Sequence, residues 1–288
     1  MRAIDRRSFL ALGVGAAAWS CSRGKKPASS AAAGEISVVV TAQAGLAAGD
    51  TRNAIAIFRG QKPITPRSVR ARLVPPNGEP FEVTVQREHI GFGSGGDQPD
   101  TDVADIWVFR HDFDPGVWQV QAIADGKPGA AVFQVDAKPP APIVGSRAPA
   151  SQSPTTSNAR GVNPICTRTP VCSMHDITIA DALAAKKPLI VNFGTPRFCT
   201  SRTCGPVVDL VEEQRKRVGS KASFIHVEVF RNAQVALKPH GDSPTFAEWK
   251  LAVEPWVYFI GADGVVKDRW MGAMGSDELA RGVDALIG

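Results

Sequence analysis

The 288-residue chain has little excess charge, only five cysteines and no apolar run of membrane-spanning length, and each shortage narrows what it can do. The apolar stretch from Phe9 to Trp19 is eleven residues, where a spanning helix needs about 20. The formal net charge is +5, and Arg2, Arg6, Arg7 and Asp5 account for two of those charges, leaving +3 from Cys21 onward. So small and scattered an excess argues against nucleic acid as a partner. No cysteine falls between Glu35 and Asp136, so that part cannot carry an internal disulfide. The loop Gly91-Phe-Gly-Ser-Gly-Gly96 lacks the Lys-Ser/Thr and the following helix of a phosphate-binding loop, and reads as a mobile connection. His89 and His111 have no ligand candidates at metal spacing and are expected on or near the surface.

What is present suits a globular protein of two domains: 43% hydrophobic and 21% charged residues supply a core without help from metals or many disulfides. Asp5-Arg-Arg-Ser-Phe-Leu10 resembles a twin-arginine export signal, and Ala18-Trp-Ser-Cys21 resembles a degenerate lipoprotein cleavage box with a bulky Trp19. The expectation is an exported protein of the cell envelope, at the outer face of the cytoplasmic membrane or in the periplasm, anchored through a lipid on Cys21. The competing view of Cys21 is an incidental cysteine in a cleaved leader. Residues 22–34, rich in Ser, Ala, Gly, Lys and Pro, then serve as a tether.

From 35 to 137 the pattern is of short β runs: Ile36–Thr41, Ala54–Phe58, Val69–Val74, Phe81–Val85, Ile106–Phe109, Val117–Ile123 and Ala131–Val135. They are broken by Gly, Pro, Asn and Asp, which predicts an immunoglobulin-like β-sandwich with Trp118 in its core. Residues 138–165 are rich in Pro, Ser, Thr and Ala without periodicity and read as a linker that partly wraps the next domain.

The remainder, 166–288, mixes helical and strand patterns. Leu189–Phe193 is an apolar strand entered through Pro188, and Val207–Val218 places Val207, Leu210, Val211 and Val218 on one helical face. Helices are also expected at Thr178–Ala185, Ser243–Lys250 and Ser276–Ile287, and strands at Phe224–Phe230, Trp256–Ile260 and Val265–Trp270. Between the strand at 189–193 and the next helix stand Cys199 and Cys204, followed by Gly205-Pro206. Pro206 suits a first helical turn, so Cys204 lies at or just before a helix N-terminus, where the dipole favours a thiolate. Five residues of helix rise about 7.5 Å, beyond the usual Cα separation of a disulfide, about 4.4–6.8 Å. If the two pair, Cys199 must therefore sit on the loop Gly194–Phe198 and fold back. A local structural disulfide, or two unrelated buried residues, are the plain alternatives. Cys166 and Cys172, in Ile165-Cys-Thr-Arg-Thr-Pro-Val-Cys-Ser-Met-His175, are expected to form a structural disulfide. The sharper alternative is a soft-metal site that adds Met174 or His175 and would suit copper(I). The main reading includes no metal and no cofactor; His226 and His240 have no motif around them.

In its order of strand, helix, strand, helix, β-hairpin and closing helix, the C-terminal half resembles the thioredoxin superfamily. The resemblance rests on the cysteine pair before Gly205-Pro206, on Glu254-Pro255 ahead of Trp256-Val-Tyr-Phe259, on the turn Gly261-Ala-Asp-Gly264 and on the last helix. It implies an α/β thioredoxin-like fold, a cis Pro255 facing redox cysteines Cys199 and Cys204, and Glu254 and Trp256 beside them. It also implies a redox partner protein or a protein disulfide as substrate. The family's pair is CxxC, whereas four residues separate the cysteines here, and Asn192 stands where the family has a buried acid. Thr195-Pro-Arg-Phe-Cys199-Thr-Ser-Arg-Thr-Cys204 is also similar to a peroxiredoxin segment with one extra residue, which would make Cys199 the attacking and Cys204 the resolving thiol. The helix argument points instead to Cys204 as the attacker. The leading expectation is a thiol-disulfide oxidoreductase. Its rivals are a peroxidase using the same pair and a non-enzymatic envelope binding protein on a disulfide-stapled scaffold, with the oligomeric state open.

Overall fold

The computed structural model describes residues 36–43, 45–92, 102–234 and 238–288. The signal-like segment, Cys21 and the tether lie outside them. The first half is β1 (Ser37–Val40), β2 (Leu46–Ala47), β3 (Gly49–Arg59), β4 (Lys62–Pro63), β5 (Val69–Val74), β6 (Phe81–Val83), β7 (Gln86–Phe92), β8 (Asp102–Phe113), β9 (Gly116–Ala124) and β10 (Lys127–Asp136). They form two sheets, β1-β3-β8-β7 with β4 on β3, and β2-β10-β9-β5-β6. Strict alternation makes the sandwich: along β9, Trp118, Val120, Ala122 and Ala124 turn inward and are buried. Trp118 meets Phe113 edge to face at 5.0 Å, with Phe133 at 5.5 Å from Phe113. Gly91 and Phe92, expected in a loop, end β7; the rest of that glycine-rich stretch is outside the described residues.

One sheet of the sandwich is buried on both faces. Ile55, Ile57, Trp107 and Phe109 point into the sandwich, while Ala54, Ala56, Ile90, Ala104 and Ile106 pack with Ala273 of the second half. The near-continuous apolar run Ala54-Ile-Ala-Ile57 is what burial on both faces demands. Arg52, on the same outward face and 1% exposed, forks onto Glu278 with two bonds of 2.8 Å and donates to the Met271 and Ala273 carbonyls. Four of the five N–H donors of that guanidinium are thus occupied and its charge is paired, as a buried cation requires.

The second half runs α1 (Ile179–Ala184), β11 (Leu189–Phe193), α2 (Cys204–Val218), β12 (Ser223–Val227), β13 (Phe230–Asn232), β14 (His240–Asp242), α3 (Pro244–Glu248), β15 (Trp256–Ile260), β16 (Val266–Met271) and α4 (Ser276–Ile287). The central sheet is β12-β11-β15-β16, with β11 parallel to β12 and antiparallel to β15. All five residues of β11 and of β15 are buried, so the apolar runs mark the two inner strands. On one face α2 and α4 pack Val207, Val208, Val211, Leu279 and Val283 against Ile190, Val257 and Phe259. The strand expected over 224–230 divides into β12 and the separate β13, which pairs with β14. Segment 142–153 adheres to this half: the Val266 amide donates to Ser146, the Gly145 amide to Val266, and Trp249 Nε1 to Ser151 Oγ. Among the described residues no helix is long and apolar enough to cross a membrane.

Candidate functional site

The C-terminal end of β11 and the N-terminal end of β15 meet at one edge, because Phe193 pairs with Trp256 in register. The chain leaves β11 through Gly194 and enters β15 through Pro255, and the Glu254–Pro255 peptide is cis. A Cβ on Gly194 would lie 3.5 Å from Cys204 Cβ and 3.8 Å from Pro255 Cβ, so the strand end, the helix start and the proline share one small space. Cys204 opens α2, with Val207 donating to the Thr203 carbonyl in the first turn. The helix begins three residues before the apolar pattern does, and Arg215, Lys216 and Arg217 complement its C-terminal end.

Cys199 is bonded to Cys204, with Cα atoms 5.9 Å apart. The return is made by a turn in which the Arg202 amide donates to the Cys199 carbonyl at 3.1 Å, with Arg202 in the left-handed region at φ 60°. A non-glycine residue there is uncommon and costs about 1–2 kcal/mol. It is the local distortion that lets a CxxxxC pair close across a helix start. The two sulfurs differ in access: Cys204 is fully buried, and Cys199 is half-buried.

The third member is Glu254. A carboxylate oxygen of Glu254 and the two sulfurs all lie within 4.8 Å of one another. Glu254 accepts a hydrogen bond from the Thr195 amide. Burial pushes its carboxyl up to about 8, against the pull of that amide and of His226. Asn192 is buried under the site and donates to the Trp256 carbonyl at 3.0 Å, while its Oδ1 has no partner. Having no titratable group, Asn192 cannot act as a general acid or base. Trp256 is buried with Arg269 above its ring at 5.0 Å, and it acts in packing rather than on the sulfurs. An apolar cavity of about 370 Å³ opens beside the disulfide, with Val39, Phe58 and Ile90 on the sandwich side and Ser201, Thr203 and Glu254 on the other.

The second cysteine pair is not as expected. Cys166 and Cys172 are unbonded, their sulfurs 3.8 Å apart, well beyond a disulfide length of about 2.05 Å. Each sulfur instead faces imidazole. Cys172 Sγ is 3.2 Å from His175 Nε2 and 3.4 Å from His226 Nδ1, and Cys166 Sγ is 3.6 Å from His226 Nδ1. All four residues are buried. The hydrogen bond between the thiols holds Cys166 well below the usual thiol range and Cys172 above it. Burial opposes charge on His226, but the Cys166 thiolate prevails and raises it to about 9, whereas burial lowers His175. Glu228, pushed up to about 8 by burial, accepts from the Thr167 amide and hydroxyl. His226 on β12, Glu228 and the acidic clamp Glu212 were not singled out in the sequence. The one local signal was the Cys-x5-Cys-x2-His spacing; the fourth member comes from a strand 51 residues beyond His175.

No protein-family model and no curated protein matches the chain. Among solved structures, a thiol:disulfide interchange protein of the thioredoxin family from Chlorobium tepidum TLS aligns over 40% of this chain and 88% of its own length. It does so at 19% identity and a TM-score of 0.31. The Lin-41 filamin domain aligns over 35% of this chain and 93% of its own length, at 10% identity and a TM-score of 0.24. At these values the functional reading rests on the chain's own geometry.

Proposed function

We propose that the protein is a thiol-disulfide oxidoreductase acting on protein disulfides outside the cytoplasm, held at the membrane through a lipid on Cys21. The observation that carries the redox reading is the Cys199–Cys204 disulfide with the Glu254 carboxyl within 4.8 Å of both sulfurs, beside cis Pro255. In the reducing direction the more accessible Cys199, as thiolate, attacks one sulfur of a partner's disulfide. The partner's S–S bond breaks, a mixed disulfide forms and the first partner thiolate leaves. Cys204, buried at the start of α2, then attacks Cys199 Sγ. Its proton passes to the Glu254 carboxylate, the Cys199–Cys204 bond forms, and the second partner sulfur departs as a thiol with that proton. Two electrons move from the pair to the partner; oxidation of a partner dithiol is the reverse. Glu254, with its carboxyl near 8, takes the place of the acid that Asn192 cannot supply. The apolar cavity beside the disulfide would seat a hydrophobic side chain flanking the partner's cysteine.

The test is reduction of a model protein disulfide by the purified chain, with Cys199→Ser, Cys204→Ser and the double variant alongside. Cys199→Ser should abolish exchange, and Cys204→Ser should accumulate the mixed disulfide. Activity surviving the double variant would overturn the reading. Consumption of reductant driven by peroxide but not by disulfides would replace it with peroxide reduction by the same pair.

A further inference from the structure

We infer that Cys166, Cys172, His175 and His226 form a tetrahedral zinc(II) site that braces the loop carrying Cys199. Zinc–sulfur bonds of about 2.3 Å and zinc–nitrogen bonds of about 2.0–2.1 Å give a tetrahedron with S···S edges of about 3.8 Å and S···N edges of about 3.6 Å. The Cys166–Cys172 separation is 3.8 Å, and the three sulfur–nitrogen separations are 3.2, 3.4 and 3.6 Å. Four of the six edges of a tetrahedron are thus matched, and all four soft or borderline donor atoms lie within 4.8 Å of one another on buried residues. Two thiolates and two neutral imidazoles around a divalent cation sum to zero charge, which is what a fully enclosed cluster requires.

The orientation of His226 is a second, independent observation. Its Nε2 lies 2.9 Å from the Gly194 carbonyl. A proton on Nε2 donated to that carbonyl leaves the Nδ1 lone pair aimed at Cys166 and Cys172, the tautomer and ring pose of a metal-bound histidine with its outer partner in place. The cysteine segment is also held from outside. Ser173 Oγ donates to Glu212 at 2.8 Å, Arg168 pairs with Asp209, and both acids are on α2, the helix that Cys204 begins. Thr167 donates to Glu228 and accepts from the Arg197 amide at 3.2 Å. A metal fixing residues 166–175 and His226 therefore reaches the redox loop at two points, the Arg197 amide through Thr167 and the Gly194 carbonyl through His226.

The test starts with the full chain purified without chelator and assayed for metal content. About one zinc per chain is expected, with Cys166 and Cys172 shielded from alkylation until a chelator is added. Reduced apoprotein is then titrated with cobalt(II) as the spectroscopic probe. Thiolate-to-cobalt charge transfer and the intense visible bands of a tetrahedral ion should saturate at one equivalent and be reversed by zinc. Cys172→Ser, a small change, should lose about half of the charge-transfer intensity, one thiolate of two, and weaken zinc binding about 100-fold while retaining the Cys199–Cys204 disulfide. A Cys166–Cys172 disulfide in the isolated protein, a weak octahedral cobalt spectrum, or uptake of copper(I) without zinc would each overturn the inference. Because the cobalt spectrum is read on the unaltered protein, failure of a variant to fold does not shield the inference. Loss of disulfide exchange in the other experiment leaves it untouched.

Discussion

The protein sets two cysteine pairs of nearly equal spacing a short way apart, and they have opposite fates. Cys199 and Cys204 are bonded, one sulfur half-buried on a loop, with a carboxyl beside them. Cys166 and Cys172 are both buried, unbonded and faced by two imidazoles. Spacing therefore decides little; the neighbours decide. A carboxyl whose affinity for a proton matches that of a thiol supports proton exchange during sulfur attack. Two imidazole nitrogens converging on two sulfurs place four ligand atoms around the position a cation would take. The contrast also separates access: a sulfur that must meet another protein has to reach the surface, and a structural ligand must not.

The sharpest way to break the comparison is to delete the sulfur of the half-buried Cys199. Cys199→Ser should lower the rate of disulfide exchange by at least about 10³-fold, read with a model protein disulfide, because the variant has no accessible attacking thiol. The corresponding change in the other pair should touch stability instead. Stripping metal from the four-residue cluster, or Cys172→Ser, should lower the thermal midpoint by about 10 °C in calorimetry, while disulfide exchange persists.

Glu254→Gln should slow exchange by about 10²-fold and remove an inflection near pH 8 from its pH profile. The same group has a stability signature of definite sign. Its folded value, about 8, lies above the ordinary 4.5, so the folded state holds the proton more tightly. The contribution is full below about pH 4.5 and is lost as pH rises through 8, and Glu254→Gln should flatten that part of the stability profile. The smallest effect is expected at the turn. Arg202→Gly removes a side chain from the left-handed region and should stabilise the disulfide-bonded form by about 1 kcal/mol in denaturant unfolding.

Legibility in the sequence followed the range of the interactions. Val69–Val74 and Trp256–Ile260 are strands with the bounds that their apolar patterns mark, because side-chain alternation and β-branched runs are local signals. Strand β7 has no local signal: Gln86-Arg-Glu-His carries four polar residues, and the buried Glu88 is partnered by Gln86 beside it and by Arg281 and the Glu278 amide from the far end of the chain. The start of α2 is legible from Pro206, which belongs in a first helical turn and so puts the helix N-terminus at or just after Cys204, the first helical residue, three residues ahead of the apolar pattern that begins at Val207. At the disulfide site Cys199, Cys204, Glu254 and Pro255 all lie beside motifs visible in the chain, and they come together. The buried cluster was half visible. Cys166, Cys172 and His175 are neighbours in sequence, and nothing local marks His226, which β12 delivers across the sheet in register with Asn192. The expectation that the neighbouring cysteines Cys166 and Cys172 cross-link gives way to a long-range contact with imidazole.

The division of labour between the two pairs is tested most directly by mass mapping of all four cysteines through a glutathione redox titration of the purified protein. The account predicts that Cys199 and Cys204 interconvert reversibly between thiols and disulfide, with Cys199 alkylated first, while Cys166 and Cys172 stay unlinked and shielded throughout. A Cys166–Cys172 disulfide, or a Cys199–Cys204 bond that resists reduction below about −300 mV, would contradict it.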